Sequence, residues 1–572
     1  MSNNFARIIV ADFEYEVRDG ELPQVLCLVA YVLDENLQHI DTIRKWRGDF
    51  DTRPPFDVGP DTLFVAYSAW AEMECFLSLG WKFPTHIFDL HTAYLASSNI
   101  LHSQTDDLHK KLRKRLPDAC KAYGLEGWEQ LEKTELARDI GEGRWRDHGR
   151  ERVFEYYEED VRMSTLLLIE QLRGRFDARG CAILLPADVA RVLYWSNYSA
   201  KVIAKIQATG MPIDVELWNL VQENKAAEIR SLVEQYDPSG GQVYTFAGEF
   251  AYERFERWLA ERQIPWPRLE SGRLDTDGDA FRLMYHVPGI EGLHALKDSL
   301  HVIRNDKLPI GSDGRNRPSL FPFGTATGRN AHRRSLYNSH ACMRSFMVFP
   351  PDTIGAYLDW RTQEVGVAAA QSGDQVLIAA YRGGDVYHEL ARVCGFTNDP
   401  DPEHWKKNDP DMRQRMKRLQ LGINYGMGVP SLAKGLDRHP LVASNVIETH
   451  KRAYPRFWQW REDTAQSVLS GIGAEHGRRC IRSIFGWPLY VSTSPNIRTL
   501  YNFPMQSEAR RCCDWRLGGS TKPASTYACW STTAFCCSCG TTDSSSTQSR
   551  SCARPAASCV TSSKSASTST RN

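Results

Sequence analysis

No run of about 18 apolar residues occurs anywhere in the 572-residue chain, so a membrane span is not expected. The opening MSNNFARIIVADFE has no apolar stretch of leader length and no cleavage-type site, so no signal peptide is expected and the protein is placed inside the cell. Net charge is missing too. Lysine and arginine total 70 against 70 acidic residues, so composition alone points to no nucleic-acid partner, and any such contact must come from local basic surface. Zinc spacing is missing: Cys537-Ser538-Cys539 is tighter than the usual gap. Internal repeats are missing as well.

What is present fits a large multidomain protein of ordinary composition, 42% hydrophobic and 24% charged. Of the 15 cysteines, Cys512, Cys513, Cys529, Cys536, Cys537, Cys539, Cys552 and Cys559 crowd the C-terminus. The rest are scattered singly, as reduced core cysteines are. The first ~175 residues read as α/β: Ile8-Ile9-Val10-Ala11 and residues 25–32 are apolar strand runs, joined by the turn Arg18-Asp19-Gly20. Helical patterns end at residues 161–172. Residues 185–230 look helical, broken at Gly210-Met211-Pro212. Residues 240–310 say little. Residues 531–572 are dominated by Ser, Thr, Cys, Ala and Arg, cannot bury enough apolar area to offset their ordering entropy, and are expected to be disordered.

Asp12-Phe13-Glu14 places two carboxylates on one face of a strand, where they can share a divalent cation. Tyr156-x-x-x-Asp160 puts a tyrosine and an acid on one helix face. Between them, Glu72 follows the apolar strand end at Ala66. The order Asp-x-Glu, middle acid, Tyr-x-x-x-Asp resembles the DEDD-type 3′→5′ exonucleases over about residues 6–175. That resemblance implies a ribonuclease-H-like fold in which Asp12, Glu14, Glu72 and Asp160 bind two metal ions and Tyr156 orients the attacking water. Glu72 stands where the family has aspartate, and Tyr67-Ser68 where it has His-Asn; Glu74 or Asp89 are alternative middle ligands.

Arg413, Lys417, Leu421 and Tyr425-Gly426 fall at four-residue steps on one helix face, with cations suited to a triphosphate and a flat wall suited to a base. The string resembles the fingers helix of family A (polymerase I-like) DNA polymerases, of phage or bacterial type. Leu421 stands where that family commonly has Phe or Tyr. Thr327-Gly328-Arg329 resembles the family element whose arginine reaches the primer end. The segment 358–364, Leu-Asp-Trp-Arg-Thr-Gln-Glu, resembles its first palm motif, which implies metal binding by Asp359 and exclusion of a ribose 2′-OH by Glu364. Asp385-Val386-Tyr387-His388 lies where the family has Asp-x-His, which implies a dNTP contact for His388. Arg498, Asn502 and Gln506 resemble the helix that tracks the primer–template minor groove. The resemblance covers about residues 185–506.

It also implies a second palm aspartate, in a His-Asp turn between apolar strands soon after Gln506. No histidine follows His476, and the only later acids are Glu508, Asp514 and Asp543. Every cysteine codon begins TG, so reading one base earlier turns each into Leu, Met or Val. Cys529-Trp530-Ser531 then forces Leu and, with a TCN serine, Val. Ser531-Thr532-Thr533 permits His-Asp, and Cys536-Cys537 becomes Leu-Leu. A frameshift near Glu508 is the reading we favour over a genuine tail.

The expected fold is therefore α/β and α+β multidomain, a ribonuclease-H-like exonuclease domain followed by a right-hand polymerase. We divide it into an exonuclease-like domain at 1–178, thumb and start of palm at 179–310, the palm and fingers core at 311–507, and the aberrant or disordered tail at 508–572. The expected activity is template-directed dNTP addition to a primer 3′-OH with 3′→5′ proofreading, using Mg²⁺ or Mn²⁺, two per active site. Asp359, Glu364 and Tyr156 are the catalytic candidates. Partners are primer–template DNA and dNTPs, with no membrane; the protein is expected to be a monomer in the cytoplasm, that of a host if a phage encodes it. The alternatives are an enzyme that only degrades DNA and a catalytically silent primer–template binder.

Overall fold

The apolar run 8–11 forms the middle of β1 (Arg7–Glu16), which pairs antiparallel with β2 (Gln24–Leu33). Asp12 lies opposite Val29 and Glu14 opposite Cys27; the register slips just after Glu14. β3 (His39–Trp46) extends the sheet beyond β2, while β4 (Thr62–Ala66) and β5 (His86–Asp89) add in parallel on the other side, giving the order β3-β2-β1-β4-β5. The parallel strands are apolar except at their ends, Thr62, His86 and Asp89, because both of their faces are covered. On one face Val10, Val29 and Val65 pack with Val161, Leu167 and Leu168 of the long helix Arg150–Arg173. On the other, Ile9, Ala11, Phe13 and Leu28 meet Trp70, Met73 and Phe76 of the helix Ala69–Ser78. The computed structural model describes residues 5–101, 115–125, 139, 144–147, 149–173, 186–237, 239, 243–269, 271–304, 308–336, 341–436, 438–472, 474, 479–491, 495–518, 527–530 and 534–540.

The second face is closed by the helix Pro186–Thr209, whose Ala200, Ile203 and Ala204 join the same apolar cluster. The expected boundary at 178 therefore falls before an element that the N-terminal sheet needs for its core. The helix Leu90–Ser98 leads into β6 (Ile100–Leu101). Past the Gly210 break, β7 (Met211–Pro212) pairs with β8 (Arg315–Asn316). Residues 240–310, opaque in sequence, hold the helices Tyr252–Glu261, Gly278–Leu283 and Ile290–Arg304 around Phe255, Trp258 and Phe281. Their core is aromatic, with the Phe255 and Phe281 rings stacked 5.9 Å apart.

β9 (Ser319–Phe321) and β10 (Ala331–Arg333) form a hairpin ahead of β11 (Thr353–Asp359). Eight helices among the described residues, from Gln363–Ser372 to Pro455–Leu469, then enclose Leu390, Met416, Leu419, Ile423 and Phe457. β12 (Cys480–Arg482) and β13 (Pro488–Val491) make a hairpin whose β13 pairs in parallel with β6, joining the halves of the chain. The helix Ile497–Gly518 follows and runs through residue 508. β14 (Tyr527–Trp530) and β15 (Ala534–Gly540) complete a sheet of order β11-β15-β14, with Ala534 opposite Asp359.

The expectation of a structureless tail is thus corrected at 527–530 and 534–540. Ladder hydrogen bonds come from the main chain, so β11 can template strands of unusual composition, and Phe, Tyr and Trp suit a pleated surface. Residues 531–533 and 541–572 lie outside the described residues.

Candidate functional site

Two clusters collect the residues singled out by sequence. The first is built around the end of β1. β1 and β4 pair only as far as Val10 and Val65, which leaves the Phe13 N–H beyond the ladder. The buried Glu72 carboxylate accepts it at 3.0 Å. Glu72 reaches that point because Asp89 sets the start of its helix, accepting N–H bonds from Ser68 at 2.9 Å and Ala69 at 3.2 Å, with Ser68 in the left-handed region at φ 67°. Asp89 also takes the Thr92 hydroxyl at 2.6 Å, so its carboxylate is committed to capping. Glu74 points elsewhere, hydrogen-bonded by Gln207, and burial pushes its carboxyl up to about 8 against the pull of Arg317. Of the possible middle acids, Glu72 is the one brought to Asp12 and Glu14.

Burial, then the charges of Asp12 and Asp160, raise the Glu14 carboxyl well above the usual range, while a hydrogen bond from Tyr157 opposes them. Burial, then Asp12 and Glu14, do the same to Glu72. Tyr156 is raised by burial and by Asp160, Glu14 and Asp12, so its ring belongs to the same cluster. Tyr157, packed edge-on at 4.5 Å, was not singled out by sequence; its only signal is adjacency to Tyr156. Crowded carboxylates whose charges raise one another suit a hard divalent cation in donor chemistry. Among the described residues, no three such side chains converge to ligating distance.

The second cluster joins residues from four distant places in the chain. Arg329 Nη2 meets Glu364 Oε1 at 2.6 Å, both side chains largely shielded, and Arg329 Nε donates to the Gln506 carbonyl at 3.4 Å. The Tyr425 hydroxyl donates to the other Glu364 oxygen. Burial, then Glu364, push that hydroxyl up to about 12, and a hydrogen bond with the Gln506 side chain works the other way. Tyr425 ends the helix Pro410–Asn424, where Gly426 turns at φ 69°; a Cβ there would stand 2.8 Å from the Tyr501 ring. On that helix Met416, Leu419 and Ile423 are buried, leaving Arg413, Lys417, Leu421 and Tyr425 on the opposite, more open face.

Arg413 is held by Asp385 at 2.6 Å and lies over the Tyr387 ring at 5.4 Å. Asp385 in turn caps the helix Val386–Val393. His388 is turned inward: it is buried, its Nε2 is 2.7 Å from the Asp399 carbonyl, and it packs on Trp405. It is not brought to Arg413; Tyr387 is. Asp359 ends β11, and its side chain lies outside what is described. Arg498 is exposed, with Asn502 and Gln506 half-buried along the same helix.

Residues 320–515 match the family model described as DNA polymerase family A. The thermostable DNA polymerase I of Thermus thermophilus is 24% identical over 376 residues, 60% of this chain and 42% of that one. The chain thus spans about two-fifths of the length of the Thermus relatives it matches. The DNA polymerase of Mycobacterium phage D29 is 29% identical over 122 residues, 21% of this chain and 19% of its own. Among solved structures, the POL domain of Pol1 from M. smegmatis, in complex with DNA primer-template and dNTP, superposes with a TM-score of 0.65 at 16% identity. That match covers 93% of this chain and 88% of that one, and it shows a shared fold.

Proposed function

Through residues 320–515 the chain belongs to DNA polymerase family A, and from that premise we propose that the protein extends a primer 3′-OH on a DNA template and carries a 3′→5′ exonuclease site in its N-terminal half. The observation that carries the first part is the junction of Arg329, Glu364, Tyr425 and Gln506, four motif residues tied together across 177 positions of chain. Clamped from two sides, Glu364 is a fixed wall where a ribose 2′-OH would stand. Arg413 and Lys417 hold the triphosphate, Leu421 and Tyr425 face the incoming base, and Arg329, Arg498, Asn502 and Gln506 track the primer–template. His388 acts only by packing the fingers around Trp405.

Asp359 is the metal ligand of the palm, and Asp12, Glu14, Glu72 and Asp160 those of the exonuclease site, with Tyr156 orienting the water. A pair of Mg²⁺ or Mn²⁺ ions, when bound, supplies charge neutralisation and an activated oxygen nucleophile. The mixed sheet with its acids at the end of β1, facing Glu72 and Tyr156 on flanking helices, supports the ribonuclease-H-like reading. We place thumb and start of palm after the helix Pro186–Thr209, in about 210–310, and palm and fingers in 311–507, with the chain working as a monomer.

A second reading is favoured by one observation: Asp359 is paired with Ala534, and the sequence between β14 and β15 is Ser-Thr-Thr, with no acid. As written, the chain then degrades DNA without extending it, or only binds it. In the frame one base earlier, that same stretch permits His-Asp between apolar strands, which supports a frameshift near 508. Labelled primer–template with Mg²⁺, with and without dNTPs, separates extension, degradation alone and silent binding; a chain that does not bind primer–template at all refutes the proposal.

A further inference from the structure

Asn99, at the end of the helix Leu90–Ser98, reaches out of the N-terminal half. Its Nδ2 donates to the Ala326 carbonyl at 2.7 Å and to the Pro488 carbonyl at 2.6 Å, while its own carbonyl accepts the Tyr490 N–H at 2.9 Å. An amide nitrogen has two hydrogens, and here each has a main-chain oxygen. With carbonyl oxygens on both sides, only the nitrogen of the amide can face them.

Ala326 belongs to the tight turn 325–329 that presents Arg329. That turn is closed by the Thr325 N–H on the Arg329 carbonyl at 3.1 Å and by the Arg329 N–H on the Thr325 hydroxyl at 2.9 Å. The Trp487 indole N–H is a second donor to the Ala326 carbonyl, at 3.1 Å. Trp487 is itself fixed, stacked on Phe323 at 4.5 Å and lying under Gly328, where a Cβ would stand 3.1 Å from the indole. From the turn, Arg329 continues to Glu364 and so to Tyr425. One side chain of the N-terminal half therefore joins Trp487 in seating the turn that presents Arg329 to Glu364.

We propose that Asn99 is a positioning residue for the primer terminus: it holds the Arg329 turn from the nuclease half, so that where the primer end sits depends on this joint. The inference rests on the polymerase reading above. It says that the nuclease half serves the polymerase cleft mechanically, whether or not it cuts.

The test uses the full chain and a recessed primer–template with 2-aminopurine at the primer 3′ end, in EDTA so that no strand is degraded. Fluorescence reports unstacking of the terminal base, and anisotropy reports affinity. Asn99→Ala should weaken binding of the recessed end by about fivefold, what one or two neutral hydrogen bonds are worth, and raise the unstacked fraction. Asn99→Asp, which sets a carboxylate against two carbonyls, should do so more strongly. Trp487→Phe, which removes the second donor and part of the ring stacked on Phe323, should shift the signal in the same direction; it decides the matter together with Asn99→Ala if Asn99→Asp does not fold. Thermal melting should barely move in Asn99→Ala, which separates positioning from general loss of structure. A folded Asn99→Ala with unchanged affinity and unchanged terminal stacking overturns the proposal while leaving the polymerase reading intact. A wild-type chain with no preference for primer–template over duplex overturns both.

Discussion

Arg461 donates a guanidinium N–H to the main-chain carbonyl of Ile423 at 2.9 Å. That carbonyl lies in the last turn of the helix Pro410–Asn424, where it also accepts the Gly426 N–H at 3.0 Å and where a cation is favoured by the helix dipole. Trp458 at 3.9 Å and Tyr501 at 4.3 Å face the same guanidinium. Two residues further on, Tyr425 meets Glu364. Arg461→Met should lower stability by about 3 kcal/mol, the sum of a charge-assisted bond and cation–π contact, and weaken dNTP binding. Lysine should restore little, since it cannot lie flat between the rings. Thermal melting and fluorescence titration with dNTP check this; an unchanged midpoint in Arg461→Met refutes it.

Acid should loosen the same helical body. His450 is fully buried, takes the Trp458 indole N–H on Nδ1 at 2.9 Å and faces Gln420 with Nε2; Tyr454, Phe457 and the charged Arg461 complete its surroundings. Burial, then Arg461, hold it down to about 3 from an ordinary 6.5. Between those values the unfolded chain binds a proton that the folded chain refuses, so stability falls as pH drops below 6.5, by about 1.4 kcal/mol per unit from this group. His450→Gln should flatten the melting midpoint between pH 6.5 and 5. Parallel slopes for the two proteins would count against it.

Asp12→Ala in the full chain should cut Mg²⁺-dependent 3′→5′ degradation of single-stranded DNA by orders of magnitude while leaving DNA affinity in place. The full chain is needed because the helix Pro186–Thr209 closes the sheet. If the parent protein shows no nuclease activity with Mg²⁺ or Mn²⁺, the N-terminal half is structural only.

Lys417→Ala should weaken dNTP binding about tenfold, the worth of a charge-assisted phosphate contact. Glu364→Ala should narrow the ratio of dNTP to rNTP affinity, since it removes the wall that Arg329 and Tyr425 hold. Equilibrium titration reads both without catalysis. Equal dNTP affinity in Lys417→Ala would remove the helix from the nucleotide site.

Restoring the frame from about codon 508 should turn a chain nearly inactive in synthesis into one that extends primers, a gain of several tenfold steps at about 1.4 kcal/mol each. The aspartate gained between β14 and β15 is decisive, and its alanine variant should fall back to the present level. Equal extension by both proteins would make the tail a working segment.

Much of this could be read from sequence where a motif is local. The strand run 8–11, the Asp12/Glu14 pair and the face Arg413–Lys417–Tyr425 each follow from a fixed period along one element. What could not be read is set by contacts between distant elements. Glu72, Glu74 and Asp89 look alike in sequence; a capping role for Asp89 and a Gln207 partner for Glu74 single out Glu72. The segment 385–388 resembles an element that implies a dNTP contact for His388, but the helix phase turns that ring inward and leaves Tyr387 beside Arg413. Residues 240–310 gave no period because short helices share an aromatic core. The pairing of β15 depended on β11, not on its own composition.

The β6–β13 joint also bears on how the chain comes off the ribosome. Asn99 and Pro488 are 389 residues apart in sequence, so during synthesis the end of β6 must wait for most of the protein before its partner strand exists. The helix that closes the N-terminal sheet emerges soon after it, so that sheet can form early while β6, outside it, is still unpaired. Contacts of such separation are slow to close, and an unmade strand edge is a place where wrong pairings begin. Late errors in the chain are thus met by an N-terminal half already folded and already waiting.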